Sequence, residues 1–346
     1  MKESKENHFV KQPLVSVVVV AFNGLELTQQ CLRAINQQTY TNLEIICVDN
    51  GSAEPVGDMV LREFPYAKLI TLKNNTGFAG GHNQGILAST GEYVAIINND
   101  AVASPDWIKM MVETAETDKQ IGTVASMVLD GKNPALLDSL GVGVALDGMS
   151  RQLCHRQPTP DNKKPQEVLL ASGCACLYRK KALKETGLFD EAFFAYCEDT
   201  ELGLRLRWAG YKCIVVPEAK VIHHYSMTTG IFSMKKVFWV ERNHYWVAIK
   251  NFPTILLLFL PIITIWRFFL QAFILVKGKS ELCSFLEKTR PNELFGTILK
   301  ANIAALAGLP KMLRARSSYP KRITQMEMIK ILFNNRLTLH QVLTGS

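Results

Sequence analysis

Four short apolar runs, each closed by Asn, Asp or Gly, constrain the fold of this chain more than any other feature. Leu14–Ala21 reads Leu-Val-Ser-Val-Val-Val-Val-Ala and stops at Phe22-Asn23-Gly24. Leu43–Val48 stops at Asp49-Asn50-Gly51-Ser52, and Lys68–Leu72 is a shorter run of the same kind. Tyr93–Ile97 stops at Asn98-Asn99-Asp100. Helical stretches lie between them: one with Leu25, Leu32 and Ile35, one over Gly80–Ser89, and one opened by Pro105. A strand that is apolar on both faces has to be covered on both faces. Alternation with helices therefore predicts an α/β fold with a mostly parallel sheet and helices on either side.

In such sheets ligands bind beyond the carboxyl ends of the strands. Asp49, Asn75 and Asp100 fall at those places, so one cleft can hold all three. Each alone is also ordinary turn chemistry. The Asn98-Asn99-Asp100 segment suits a divalent cation bridging a diphosphate, since Mg²⁺ takes one or two carboxylates plus phosphate oxygens. Glu198-Asp199 opens a helix expected over Thr200–Ala209. Asp199 fits an N-cap, but it ends a dense stretch, Phe193-Phe194-Ala195-Tyr196-Cys197, where a carboxylate can act as a raised-pKa general base. His223-His224 follows a strand expected over Cys213–Val216, and imidazole there can be structural or a metal ligand. Between these lie a possible hairpin turn at Asp147-Gly148 and a loop at Pro158–Pro165.

Charge is unevenly placed. Residues 1–230 hold 22 basic and 26 acidic side chains, and residues 231–346 hold 17 and 5. A uniformly basic nucleic-acid binder is thereby disfavoured, and no nucleic-acid partner is expected. The polar opening, residues 1–12, has no apolar core of a secretory signal. Eight irregularly spaced cysteines read as reduced thiols rather than a disulfide or zinc framework.

The segments Val15–Asn23, Val48-Asp49-Asn50-Gly51-Ser52 and Asn75-Thr76-Gly77-Phe78-Ala79-Gly80-Gly81-His82-Asn83-Gln84-Gly85 resemble the family 2 glycosyltransferases. Gly187-Leu188-Phe189-Asp190-Glu191 and Glu198–Arg205 agree. Within the family the chain looks most like the bacterial rhamnosyltransferase branch, over about residues 13–250. The resemblance implies a GT-A fold, with a nucleotide-sugar half over 13–128 and an acceptor half over 129–250. It implies that Phe22, Asn23 and Asp49 hold base and ribose, and that Asn75, Gly77, Phe78 and Asn83 belong to the nucleotide-sugar loop. Asp100 matches the last acid of the metal motif, beside Asn98 and Asn99, and His223 matches a histidine near metal and diphosphate. Asp199 matches the general base, with Glu198 beside it as the other catalytic candidate. Asn98 stands where the family has an acid, which leaves one carboxylate there for Mg²⁺ or Mn²⁺. Glu201 stands near where many relatives have a second Asp. The implied donor is dTDP-rhamnose, or a UDP-sugar; the implied acceptor is a lipid-linked or cell-surface glycan such as an O-antigen precursor. A non-catalytic nucleotide-sugar-binding scaffold is the alternative that the missing acid keeps open.

Residues 251–346 are expected to form an apolar and basic helical membrane-attachment region. As a helix, Ile255–Val276 would be about 33 Å long, enough to span a bilayer core. Pro261, Gln271 and above all Arg267 oppose a simple span. Phe295–Leu309 is apolar to amphipathic and is followed by Lys311, Arg314, Arg316, Lys321 and Arg322. An apolar face beside basic clusters fits a helix lying on anionic lipid. The expected place is the cytoplasmic face of the inner membrane, peripheral or with one embedded segment.

Overall fold

The structure, a computed structural model, describes residues 12–224, 233–276, 290–338 and 341. The polar tail 1–11, Lys277, Lys279 and Cys283 lie outside the described residues. The seven cysteines inside them are all free thiols.

The chain folds into a central sheet with helices on both faces. The strands are β1 (Val15–Ala21), β2 (Leu43–Asp49), β3 (Lys68–Thr71), β4 (Tyr93–Asn98), β5 (Ala101–Ala103), β6 (Ile121–Asp130), β7 (Leu137–Ser139), β8 (Val142–Val144), β9 (Ser150–Gln152), β10 (Gln166–Val168), β11 (Ala175–Arg179) and β12 (Lys212–His223). The helices are α1 (Leu25–Asn36), α2 (Val56–Glu63), α3 (Gly77–Ala88), α4 (Trp107–Thr117), α5 (Lys180–Thr186), α6 (Glu198–Trp208), α7 (Met234–Asn251), α8 (Thr254–Val276), α9 (Pro291–Ala315) and α10 (Gln325–Asn334). The sheet order is β10-β12-β6-β11-β4-β1-β2-β3, with β5 on β12 and β7 on β6. β3, β2, β1 and β4 are parallel, as are β6 and β12, whereas β11 runs antiparallel between β4 and β6. β8 and β9 form the hairpin expected around Asp147-Gly148.

The β-branched run of β1 explains the layering. Val15, Val17 and Val19 point to one face and pack with Leu32, Ile35, Met59 and Trp107 of α1, α2 and α4. Val18 points to the other and packs with Ile86 of α3 and Leu202 and Leu206 of α6. Alternate side chains of one strand thus enter two cores, the arrangement that a continuous apolar run demands. A third core, with Trp208, Trp246, Met312 and Leu332, joins α6 to the C-terminal helices.

β12 is longer than its apolar run. It continues past Pro217 to His223, and its pairing with β6 shifts register between Val216 and Lys220. Proline lacks the amide a ladder needs, so the irregularity falls beside it. The far half then pairs with β5, setting His223 opposite Ala101. α3 approaches β1 so closely that a Cβ on Gly85 would collide with Val18 Cγ1. Gly85→Val should therefore lower unfolding free energy by about 2–3 kcal/mol by overpacking, read from chemical denaturation; unchanged stability would show that this contact is looser.

Candidate active site

Strand register brings the polar termini together. Ala21 pairs with Asp49 and Val20 with Asn98, so the ends of β1, β2 and β4 open on one edge. At the end of β1, Asn23 (φ 60°) and Gly24 (φ 73°) turn through left-handed backbone. Asn23 N–H donates to Ser52 Oγ (2.9 Å), and its Oδ1 accepts from Ala53 N–H (2.8 Å). Asn99 Nδ2 donates to Asn23 O (3.1 Å) and Thr28 Oγ1 (3.0 Å), tying the β4 end to the β1 end. Asp49, nearly buried, accepts from Ser52 N–H at 3.0 Å.

Asn50 is the hub of the loop 75–77. Its Nδ2 lies 3.2 Å from Asn75 Oδ1 and 3.0 Å from Gly77 O, and its Oδ1 accepts from Thr76 N–H and Oγ1, both at 2.9 Å. Asn75 in turn accepts from Gly77 N–H (2.7 Å). Asn83 is placed differently. Its amide exchanges hydrogen bonds with the Phe189 backbone (2.9 and 3.1 Å) and reaches Glu191, clamping α3 to the turn after α5.

On the other side of the cleft, Asp100 Oδ1 lies 3.3 Å from His223 Nε2. His223 Nδ1 lies 2.8 Å from Asp138 Oδ2, and Asp138 meets His155 Nδ1 at 3.3 Å. Burial works against a charged His223, but Cys174, Asp100 and Asp138 outweigh it and hold the imidazole well above its ordinary range. Burial likewise opposes ionised Asp138, and hydrogen bonds from His155 and His223 bring it to about 2. Asp138 and His155 were not legible as site residues, because they lie in the irregular stretch between the two halves. One carboxylate, one imidazole that must give up its Nε2 proton to ligate, and an anion fixing the far ring nitrogen are a donor set that fits a divalent cation. Among the described residues no three His, Cys, Asp or Glu converge on one metal position. Any ion there depends on donor oxygens for the rest of its shell.

Asp199 sits in the first turn of α6. Its Oδ2 accepts from Gly173 N–H (2.9 Å) and its Oδ1 from Thr200 N–H (2.6 Å). A Cβ on Gly173 would lie 3.0 Å from Phe78 and 3.2 Å from Asp199, so the loop passes tightly between them and a larger residue would have to push them apart. Burial raises the Asp199 pKa, and the amide hydrogen bonds offset this only in part. Glu198 is more extreme: it is buried, its Oε2 has no hydrogen-bond partner, and burial followed by the Asp199 charge pushes it well up. Glu201 lies inside the fold, with Arg205 at 2.8 Å and Lys250 at 2.9 Å. It is an ion-pair residue of the core rather than a second acid for the cleft. The loop before Glu198 holds Phe194, Tyr196 and Cys197 at φ 65°, 68° and 67°. Each such residue costs on the order of 1–3 kcal/mol and persists only where its surroundings impose it. Here Asn243 of α7 imposes it, with Nδ2 within 3.0 Å of the carbonyl oxygens of Phe193, Ala195 and Tyr196.

A mostly parallel sheet with polar loops at its strand ends and a helix-borne carboxylate beside them is the architecture of a GT-A sugar transferase. Residues 16–187 match the family model described as glycosyl transferase family 2, and the chain belongs to that family. It is similar to N-acetylglucosaminyl-diphospho-decaprenol L-rhamnosyltransferase of Mycobacterium tuberculosis, 25% identical over 240 residues covering 63% of this chain and 78% of the relative. Among solved structures it resembles the mannosyltransferase PcManGT of Pyrobaculum calidifontis in complex with GDP-Man and Mn²⁺, with a TM-score of 0.52, 18% identity, and 87% and 88% of the two chains covered. GalNAc-T7 with UDP, GalNAc and Mn²⁺ gives a TM-score of 0.59 and 14% identity, covering 87% of this chain and 59% of that one. These likenesses show the GT-A fold, and the chain is a glycosyltransferase.

Asn50→Ala removes the hub of the loop. It should weaken nucleotide-sugar binding about tenfold or more while leaving the fold intact, measured by calorimetry beside circular dichroism. Unaltered affinity would mean that the loop is set by other contacts.

Proposed function

We propose that the protein is an inverting glycosyltransferase that moves one sugar from a nucleoside diphosphate donor to a glycan on a lipid carrier. The observation that carries this reading is the Asp199 carboxylate, fixed by Gly173 and Thr200 beside Phe78 and raised in pKa by burial. Asp199 would take the proton of the acceptor hydroxyl as that oxygen bonds to the sugar C1. The bond from C1 to the diphosphate oxygen breaks, and the nucleoside diphosphate leaves with the electron pair. A single displacement of this kind inverts the anomeric centre and needs no second catalytic carboxylate, unlike glycoside hydrolysis. Glu198, buried beside Asp199 and held toward its neutral form, would keep a second negative charge away from the base.

Phe22, Asn23, Asp49, Asn75, Gly77 and Phe78 would line the donor side, with Asn98 and Asn99 bounding it. Asp100 and His223 would hold Mg²⁺ or Mn²⁺, with diphosphate oxygens completing the shell. A bound divalent ion supplies charge stabilisation for the leaving diphosphate. The likeness to an enzyme named as an L-rhamnosyltransferase acting on a diphospho-decaprenol supports dTDP-rhamnose over a UDP-sugar, and a lipid-linked acceptor.

The C-terminal helices support attachment to the cytoplasmic face of a membrane. Leu258, Ile262, Ile265, Trp266 and Phe269 of α8 are more than half exposed, as are Phe295, Ile303 and Leu306 of α9. Arg267, in the middle of the same α8, is fully buried against Asp147 and Glu241 of the catalytic body. A helix bolted at its midpoint to the body lies along it and presents one face outward. This favours an in-plane membrane helix over a spanning one.

Asp199→Asn should lower kcat by about 10²–10⁴-fold while nucleotide affinity stays within twofold. In the wild type the acid limb of kcat/KM should lie above the usual aspartate range near 3.9, because the base must be ionised and its pKa is raised. Retained turnover in the variant would assign the base elsewhere. Ile262→Glu with Phe269→Glu should abolish flotation with anionic liposomes without altering turnover of a soluble acceptor. Undiminished flotation would move the membrane contact off α8.

A further inference from the structure

Arg267 is the one arginine among the described residues with no exposed surface, and it sits on the helix whose other face exposes Leu258, Ile262, Ile265, Trp266 and Phe269. A lysine or arginine that merely served membrane attachment would reach outward to the lipid headgroups. This one reaches inward. Its Nη1 and Nη2 each meet a Glu241 carboxylate oxygen at 3.0 Å, and its Nε lies 2.9 Å from Asp147 Oδ2 as an ion pair off the hydrogen-bond line. His244 Nε2 is 3.5 Å from Nη2.

Both partners lead to the loop that presents Glu198 and Asp199. Glu241 stands two residues before Asn243, whose amide holds the carbonyls of Phe193, Ala195 and Tyr196. Between them Arg242 Nη2 donates to Ala192 O (3.1 Å) and Phe193 O (3.0 Å). Asp147 sets the β8–β9 turn by accepting from Met149 N–H at 3.0 Å. At the following glycine, Gly148 (φ 91°), a Cβ would collide with the His244 carbonyl, so the turn lies flat on α7. Three residues beyond Asp147, Ser150 Oγ lies 2.9 Å from Thr200 Oγ1, which is itself 3.2 Å from Asp199 Oδ1.

We infer that Arg267 is a positioning residue for catalysis. By clamping Glu241 and Asp147 together it fixes α7 and the β8–β9 turn, the two supports that hold the positive-φ loop and the Asp199 carboxylate in place. The inference rests on the reading of Asp199 as base. It gives the C-terminal helical region a part in the chemistry beyond attachment: the helix that meets the membrane also locks the geometry of the base.

The test uses the full chain. Arg267→Met should lower kcat at least tenfold while donor Kd, measured by calorimetry, and donor KM stay within twofold. Hydrogen exchange should accelerate in residues 193–197 and 147–150, while the strands β1, β2 and β4 keep their protection. Arg267→Lys, which keeps the charge but not the two-pronged geometry, should recover part of kcat. The triple variant Asp147→Asn, Glu241→Gln, Arg267→Met removes the stranded charges and guards against simple unfolding; its kcat should stay low. Wild-type kcat in the triple variant, or unchanged exchange at 193–197 in folded Arg267→Met, would overturn the inference. Loss of kcat and donor binding together would overturn it too, since that is the mark of general destabilisation. The exchange measurement needs no turnover, so it tests the clamp on its own, and a failed clamp is told apart from a wrong assignment of Asp199 as base.

Discussion

Everything in this protein follows from burying β1 and its neighbours on both faces. With Val15, Val17 and Val19 in one core and Val18 in another, the strand has no polar side to give to a ligand. Function is therefore driven to the strand ends, where apolar sequence stops and Asn, Asp and Gly begin. Parallel register makes those ends coincide. The sheet supplies a rigid edge, and each polar residue there inherits its position from a strand or helix that is itself locked by packing.

The strand ends were readable from the chain because their signals are local. An apolar run that stops at Asn, Asp or Gly marks a strand end, and β2 and β4 do end at Asp49 and Asn98. The hydrogen bonds that organise the edge were not readable. Asn50 reads as a turn residue in sequence and is a hub in space, and the hydrogen bonds of Asn83 to the Phe189 backbone have no mark in the sequence. Asp138 and His155 lie in irregular chain with no periodicity to mark them, and they join His223 only because β12 runs on past Pro217. An apolar-run criterion ends that strand at Val216, since the residues after the proline are mixed in character. Their strand conformation comes from pairing with β5 and β6, which is tertiary information.

The C-terminal third illustrates the same limit from the other direction. Composition alone presents Ile255–Val276 as a span troubled by an arginine. In the fold the arginine is what attaches the helix to the catalytic body, and the charge that argues against a transmembrane helix becomes an argument for a strap. The net positive balance of residues 231–346 is accordingly divided. Arg242, Lys250, Arg267 and Arg316 are engaged with carboxylates and carbonyls inside the protein. Arg322, too, is paired with a carboxylate of the body, Glu185.

The central claim is that strand-end residues bind a nucleotide sugar and that the α6 carboxylate activates an acceptor for a single inverting displacement. The most direct measurement incubates the full chain with Mg²⁺ or Mn²⁺, a panel of sugar nucleotides led by dTDP-rhamnose, and a lipid-linked acceptor, with products read by mass spectrometry and the anomeric configuration by NMR. The account predicts transfer of one sugar with inversion and release of the nucleoside diphosphate. Donor binding with no turnover of any sugar nucleotide, or a product of retained configuration, would contradict it.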